Sequence, residues 1–168
     1  MTIHKHLKRL DDIWENEPIF FITTCTNHRH PLLANGRTAP ILVDEWRLAL
    51  EKHGWAVGRY VIMPDHVHFF CALDTGCIKG KSLSSFLQQW KQWTSKRIIQ
   101  EWKYINLPGN QITPALRPPI WQPRFFDHLI RSWESYAEKW EYVQENPVRA
   151  GLVKNSNEWV WQGEVYEL

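Results

Sequence analysis

The sequence is short of several things, and each shortage excludes a class of protein. It carries three cysteines, Cys25, Cys71 and Cys77, and no two of them form a CxxC pair. A Cys-rich zinc site and a disulfide-stapled scaffold are therefore not expected. An odd, sparse set suggests reduced thiols in a cytoplasmic protein. No uninterrupted apolar run approaches the length needed to cross a bilayer, so no membrane partner is expected. The opening stretch, MTIHKHLKRLDDIWENEP, lacks an apolar signal core and ends in acids, so no secretion signal is expected either. There are no internal repeats and no low-complexity segment. Charge of one sign is also scarce. The formal net charge is +2 with eight histidines counted as neutral, too little to establish a nucleic-acid partner by itself.

What is present reads as an ordinary globular balance: 43% hydrophobic and 23% charged residues in a chain of 168. That length fits one domain with a proper core, spanning residues 1–168. Residues 1–18 read as an N-terminal arm and 152–168 as a C-terminal tail. Eleven tryptophans are many for this length. Most are expected in or beside the core, although an exposed indole also makes a platform for a nucleic-acid base.

Taken in order, Ile19 to Thr26 is a β-branched and aromatic run of strand length. A helix follows from Thr38 or Pro40, closed by Lys52-His53-Gly54 with basic residues in the last turn and glycine as the stop. Trp55 to Met63 reads as a strand, with Gly58 as a bulge or close contact. Pro64-Asp65 makes a tight join to a further strand, His66 to Leu73. Ser82 is a plausible N-cap for a helix to about Trp102, whose apolar residues Leu83, Phe86, Leu87, Trp90 and Ile98 recur at helical spacing. Residues 103–119 read as a proline-rich loop. Ile120 to Ile130 is the last strand-like run, and Ser132 caps a final helix reaching Asn146-Pro147. The first six elements spell β-α-β-β-α-β, the order of an α+β, ferredoxin-like sandwich with an antiparallel sheet, plus a C-terminal helix. Helices are expected on one sheet face, with the other free for a ligand.

Two stretches carry chemistry. In Met63-Pro64-Asp65-His66-Val67-His68, strand alternation puts His66 and His68 on one face, and paired imidazoles half-build a cation site. Read blandly, they are two surface histidines on a half-exposed strand. In Tyr142 to Leu152, Tyr142 and Asn146 lie four apart on one helix face, and Pro147 puts Asn146 near a helix end or kink. Read blandly, Tyr142 packs at the core rim and Asn146 is a cap.

These stretches, together with Trp121-Gln122, Phe126-Asp127-His128 and Arg131, resemble the REP-associated tyrosine transposases, relatives of the single-tyrosine transposases in the HUH endonuclease superfamily. The resemblance spans roughly residues 18–153. It implies a ferredoxin-like catalytic domain. It implies that His66, His68 and Asn146 are ligands of a divalent cation, Mg2+ or Mn2+, and that Tyr142 is the nucleophile. The implied activity is nicking and rejoining of single-stranded DNA beside a REP-like hairpin through a 5′-phosphotyrosine, with a monomer favoured and a dimer possible. Two departures stand out: Asp65 replaces a usual asparagine, and Pro123-Arg124 replaces a glycine-containing turn.

A free phenol ionises near pH 10 and needs activation, which a nearby cation supplies. Lys5, Arg9, Arg29, Lys91, Lys96 and Arg97 are the expected phosphate contacts. Asp127 and His128 are second-tier candidates, either shaping the site or capping the last helix. Trp90 and Trp93 could stack bases, though helical periodicity favours the core. Cys71 and Cys77 look structural. Two other readings fit the same fold: a non-catalytic, domesticated nucleic-acid-binding module using the open sheet face and aromatics, and a small metal-dependent hydrolase using the histidines alone. The first leaves His66, His68, Tyr142 and Asn146 idle. The second leaves Tyr142 unexplained.

Overall fold

The computed structural model describes residues 18–74, 76, 80–103 and 117–168. Lys5, Arg9 and Cys77 lie outside them. The elements in order are β1 (Ile19–Cys25), α1 (Thr38–His53), β2 (Trp55–Ile62), β3 (His66–Leu73), α2 (Leu83–Lys103), β4 (Phe126–Ile130), α3 (Trp133–Gln144), α4 (Asn146–Arg149) and β5 (Gln162–Glu164). The sheet runs β4-β1-β3-β2-β5, and every neighbouring pair is antiparallel. The first four strands in that order make the ferredoxin-like sheet. No helix among the described residues is long and apolar enough to cross a membrane.

Local signals explain most of the boundaries. Gly54 ends α1 in the left-handed conformation, φ 77°, and its N–H donates to the carbonyls of Ala49 and Leu50. Ser82 and Ser132 each accept a hydrogen bond from the backbone N–H three residues on, starting α2 and α3 as their positions predict. Gly58 sits at an irregularity in the β2–β3 register and directly beneath Leu168, so it is both a bulge and a close contact.

α1 and α2 cover one face of the sheet. Their core is built on indoles: Trp46 and Trp90 stack with ring centroids 5.3 Å apart and planes 3° from parallel, and Trp121 packs against Trp90 at 5.0 Å. Trp90 is therefore core, whereas Trp93, on the outer side of α2, is 44% exposed.

The other face is not free, contrary to the expectation from sequence. α3 lies on it, with Tyr136 and Val143 buried alongside Phe21, Phe70, Val61 and Leu168. The C-terminal tail adds β5 to the outer edge of β2, a strand that the sequence pattern did not indicate. The expected strand at 120–130 is also shorter. Only Phe126–Ile130 pairs continuously with β1, while Trp121 makes one isolated bridge to Thr26. Pro123 has no N–H to give a ladder, so the chain crosses the end of β1 instead, with the Gln122 N–H bonded to the Cys25 carbonyl.

Two expected phosphate contacts have structural jobs instead. Lys91 shares the buried face of α2 with Leu87, Trp90 and Thr94. Its ammonium donates to the carbonyls of Gln122 and Arg124, both at 2.9 Å, and so ties the crossing segment to the helix. Burial pulls its pKa down to about 8. Arg97 ion-pairs with Glu45 at 2.9 Å and Asp44 at 3.2 Å on α1. The Lys91 ammonium is therefore not free to track a nucleic-acid backbone, and the Arg97 guanidinium is already ion-paired.

Lys91→Met keeps the stem but orphans two carbonyls. It is expected to lower unfolding stability by about 1–3 kcal/mol without changing DNA affinity. Below pH about 8 both folded and unfolded chains hold the Lys91 proton. Above it the folded chain releases the proton first. Wild type should therefore gain stability relative to the variant as pH climbs from about 8 towards 10.5, and urea titrations across that range measure it.

Candidate active site

β3 is the middle strand, flanked by β1 and β2, so its side chains stand upright between neighbours. His66 and His68 project on the α3 side, with ring centroids 4.8 Å apart and planes 83° from parallel. Each ring has its Nδ1 occupied. His66 Nδ1 is 2.6 Å from Asp65 Oδ1, and His68 Nδ1 is 2.7 Å from Thr23 Oγ1, its direct cross-strand neighbour. A carboxylate only accepts, so His66 donates from Nδ1 and its Nε2 keeps the lone pair. A hydroxyl accepts equally well from His68 Nδ1–H. Oriented imidazoles of this kind are what cation sites use.

Electrostatics keep both rings in the ligand form. Burial lowers the His66 pKa, against the pull of Asp65. Burial, followed by His66, Lys139, Arg29 and Arg149, pushes His68 down to about 3. Both rings are neutral at neutral pH. Burial disfavours the Asp65 carboxylate, but hydrogen bonds and charge from His66 and Arg29 outweigh it and hold its pKa below the ordinary value.

Arg29, an expected phosphate contact, stands at the edge of this group. Its Nε is 2.7 Å from Asp65 Oδ2 and its Nη2 is 3.4 Å from His66 Nδ1. It is held there by a turn in which His28 and Arg29 both adopt left-handed φ, 52° and 57°. Non-glycine residues adopt that region rarely, and such strain concentrates at functional sites.

α3 passes over the same face. Its Tyr136 packs on Phe70 at 4.3 Å, and one turn on the Lys139 ammonium lies 5.1 Å from the Phe21 ring. Phe21 in turn stacks on His68 at 5.5 Å. A further turn brings Tyr142, which is 62% exposed. The helix then breaks at Glu145, whose carboxylate accepts from Ser156 Oγ at 2.6 Å. α4 restarts with Asn146-Pro147, and the Asn146 amide oxygen accepts from Arg149 Nη2.

Among the described residues no three His, Cys, Asp or Glu side chains form a metal-holding group. Two imidazoles therefore need a donor of another type, and the Asn146 amide oxygen is one. Two neutral nitrogens with a neutral amide oxygen are a donor chemistry that suits a divalent cation.

The second-tier candidates divide. Asp127 pairs with Ile22, whose side chain is in the helix-side core, so Asp127 points away from the histidines. His128 pairs with Phe21 and shares the histidine face, exposed on the edge strand. Neither caps α3; Ser132 does. Lys96 lies on α2, across the sheet, with its ammonium 4.6 Å over Trp93. Thr23, Lys139 and Arg149 also stand around His68, and no sequence motif marks them. The spacing held a signal for two of them, since residues 139, 142, 146 and 149 follow at three- and four-residue steps along one face.

The chain belongs to the IS200-like transposase family, whose model, described as "Transposase IS200 like", matches residues 19–146. It is 25% identical over 131 residues to the REP-associated tyrosine transposase of Escherichia coli K12. That match covers 78% of this chain and 59% of the relative, so the chain spans less than two thirds of that protein's length. A Haemophilus influenzae relative is 28% identical over 135 residues, 76% of this chain and 73% of that one. A solved REP-associated tyrosine transposase bound to a REP hairpin superposes with a TM-score of 0.62 at 24% identity, covering 86% of this chain and 75% of that one. The shared fold follows from that likeness.

Thr23→Val removes the hydroxyl on His68 Nδ1 while keeping the shape. Were His66 and His68 to hold a divalent cation, this variant would weaken Mn2+ binding about 10-fold or more with no loss of fold, as a calorimetric titration and a thermal melt would show.

Proposed function

We propose that this protein is a metal-dependent endonuclease and strand transferase acting on single-stranded DNA beside a small hairpin, through a 5′-phosphotyrosine intermediate. One observation carries the proposal. The two oriented, neutral imidazoles share a sheet face with the helix that bears an exposed tyrosine, and Asn146 follows that tyrosine by one turn. The hairpin is suggested by the relatives, which are named for REP elements.

His66, His68 and Asn146 would hold Mg2+ or Mn2+. Bound there, the cation supplies positive charge to polarise the scissile phosphate. The chain's own residues do the rest. The exposure of Tyr142 admits a strand. Its phenolic oxygen bonds to phosphorus as the phosphorus–O3′ bond breaks. The phenolic proton is lost, and the departing oxygen leaves as a free 3′-hydroxyl with a proton. The phosphodiester energy is kept in the tyrosyl ester, so a 3′-hydroxyl can reverse the step and rejoin strands without ATP. Arg29, Lys139 and Arg149 surround the site with positive charge that favours the anionic substrate. α3 docks through Tyr136 and Val143 into the core of its own chain. Nucleophile and histidines thus come from one chain, which supports a monomeric unit.

The test is a denaturing gel with labelled hairpin DNA carrying a single-stranded flank, with Mn2+ or Mg2+. A slow, detergent-resistant band is expected. It should require metal and disappear in Tyr142→Phe, while that variant's DNA affinity stays within about twofold, since only a single hydroxyl is lost. Binding without any covalent band, across metals and hairpins, would favour a domesticated, non-catalytic DNA-binding protein.

A further inference from the structure

Arg149 makes three contacts, and they converge on the two residues of the helix end that matter most. Its guanidinium carbon lies 4.1 Å from the centroid of the Tyr142 ring. Its Nη2 donates to the Tyr142 carbonyl at 2.6 Å and also to the Asn146 amide oxygen. The Tyr142 carbonyl belongs to the last turn of α3, where carbonyls lack partners in the helix, so the first bond is ordinary capping. The other two are not needed for that. They hold a charged, exposed side chain over the phenol and on the oxygen assigned to the cation.

We propose that Arg149 is a latch: it competes with the divalent cation for the Asn146 amide oxygen and, once displaced, binds the phosphate presented to Tyr142. The proposal rests on His66, His68 and Asn146 being the cation ligands. A divalent ion on the Asn146 oxygen would stand a few ångström from the guanidinium, and like charges that close repel. The guanidinium must then leave that oxygen. It is already placed over the ring whose oxygen has to meet phosphorus, and its planar array of donors matches phosphate. Cation entry would thus free an anion-binding group where the substrate anion lands. Without cation, Asn146 and Tyr142 stay clasped together by the same side chain.

The experiment compares wild type, Arg149→Gln, Arg149→Lys and His66→Ala, all as full chains with matched thermal melts. Mn2+ binding is followed by electron paramagnetic resonance without DNA. Binding of a fluorescent hairpin with a single-stranded flank is followed with saturating Mn2+ across a salt series, in a Tyr142→Phe background so that the strand stays intact. Arg149→Gln should bind Mn2+ about fivefold tighter or more. It should bind DNA more weakly, with the salt slope reduced by about 1. Arg149→Lys keeps the charge but loses the planar donors. It should also bind Mn2+ tighter than wild type, with the salt slope retained. A merely structural cap would move both affinities the same way. Weaker or unchanged Mn2+ binding in both Arg149 variants therefore overturns the latch. If His66→Ala binds Mn2+ as well as wild type, the assignment of the cation site itself falls, and the latch with it.

Discussion

The pairing of β3 with β1 is the constraint on which the site depends. In that register Thr23 faces His68 and Cys25 faces His66. Because strand side chains alternate, a slip of one residue would turn both imidazoles into the core beneath α1 and α2. There they would replace Val67 and Phe69, both fully buried. The slip would bury two polar rings and expose two large apolar ones, so hydrophobic burial on one face fixes the chemistry on the other. The indole stack of Trp46, Trp90 and Trp121 stiffens that burial. Among the described residues neither Trp46 nor Trp90 has a partner for its indole N–H, a cost accepted for close ring packing.

On this platform the electrostatics run in one direction. The imidazoles are kept uncharged by burial and by surrounding cations, and those cations belong to three separate elements: Arg29 from the turn after β1, Lys139 from α3 and Arg149 from α4. A site ringed by three such cations favours an anion. Asp65 is the counterweight, an ionised carboxylate touching both His66 and Arg29.

Much of this was legible in the sequence, for reasons that differ by element. The strand order, the cap residues Ser82, Ser132 and Gly54, and the side-by-side histidines follow from periods of two and 3.6 with distinctive end signals. β5 was not legible. Three residues, Gln162-Gly163-Glu164, carry no alternation, and Gly163 packs closely on Tyr60, whose hydroxyl lies 2.8 Å from where a Cβ would stand. The cover over the histidine face was equally hidden, since Tyr136 and Val143 announce a buried helix side but not which sheet face receives it. Lys91 misled because a lysine on a basic helix resembles a surface charge. Only the crossing segment at Gln122–Arg124 supplies the carbonyls that make it a buried tie.

The fate of the basic residues shows why net charge was a weak guide. Lys91 and Arg97 spend their charge inside the helix layer, and Lys96 sits over an indole on the far side of the sheet. The cations that face the histidines come instead from positions with no local basic cluster. What places them is geometry: two successive left-handed residues aim Arg29, and the break after Gln144 lets a short second helix fold Arg149 back along the row of Tyr142 and Asn146. Had α3 continued unbroken, Arg149 would still lie near that row. Yet the Tyr142 carbonyl would be bonded within the helix and would not be free to hold the guanidinium. Pro147, which forbids that continuation, thus shapes the site without touching any reacting group.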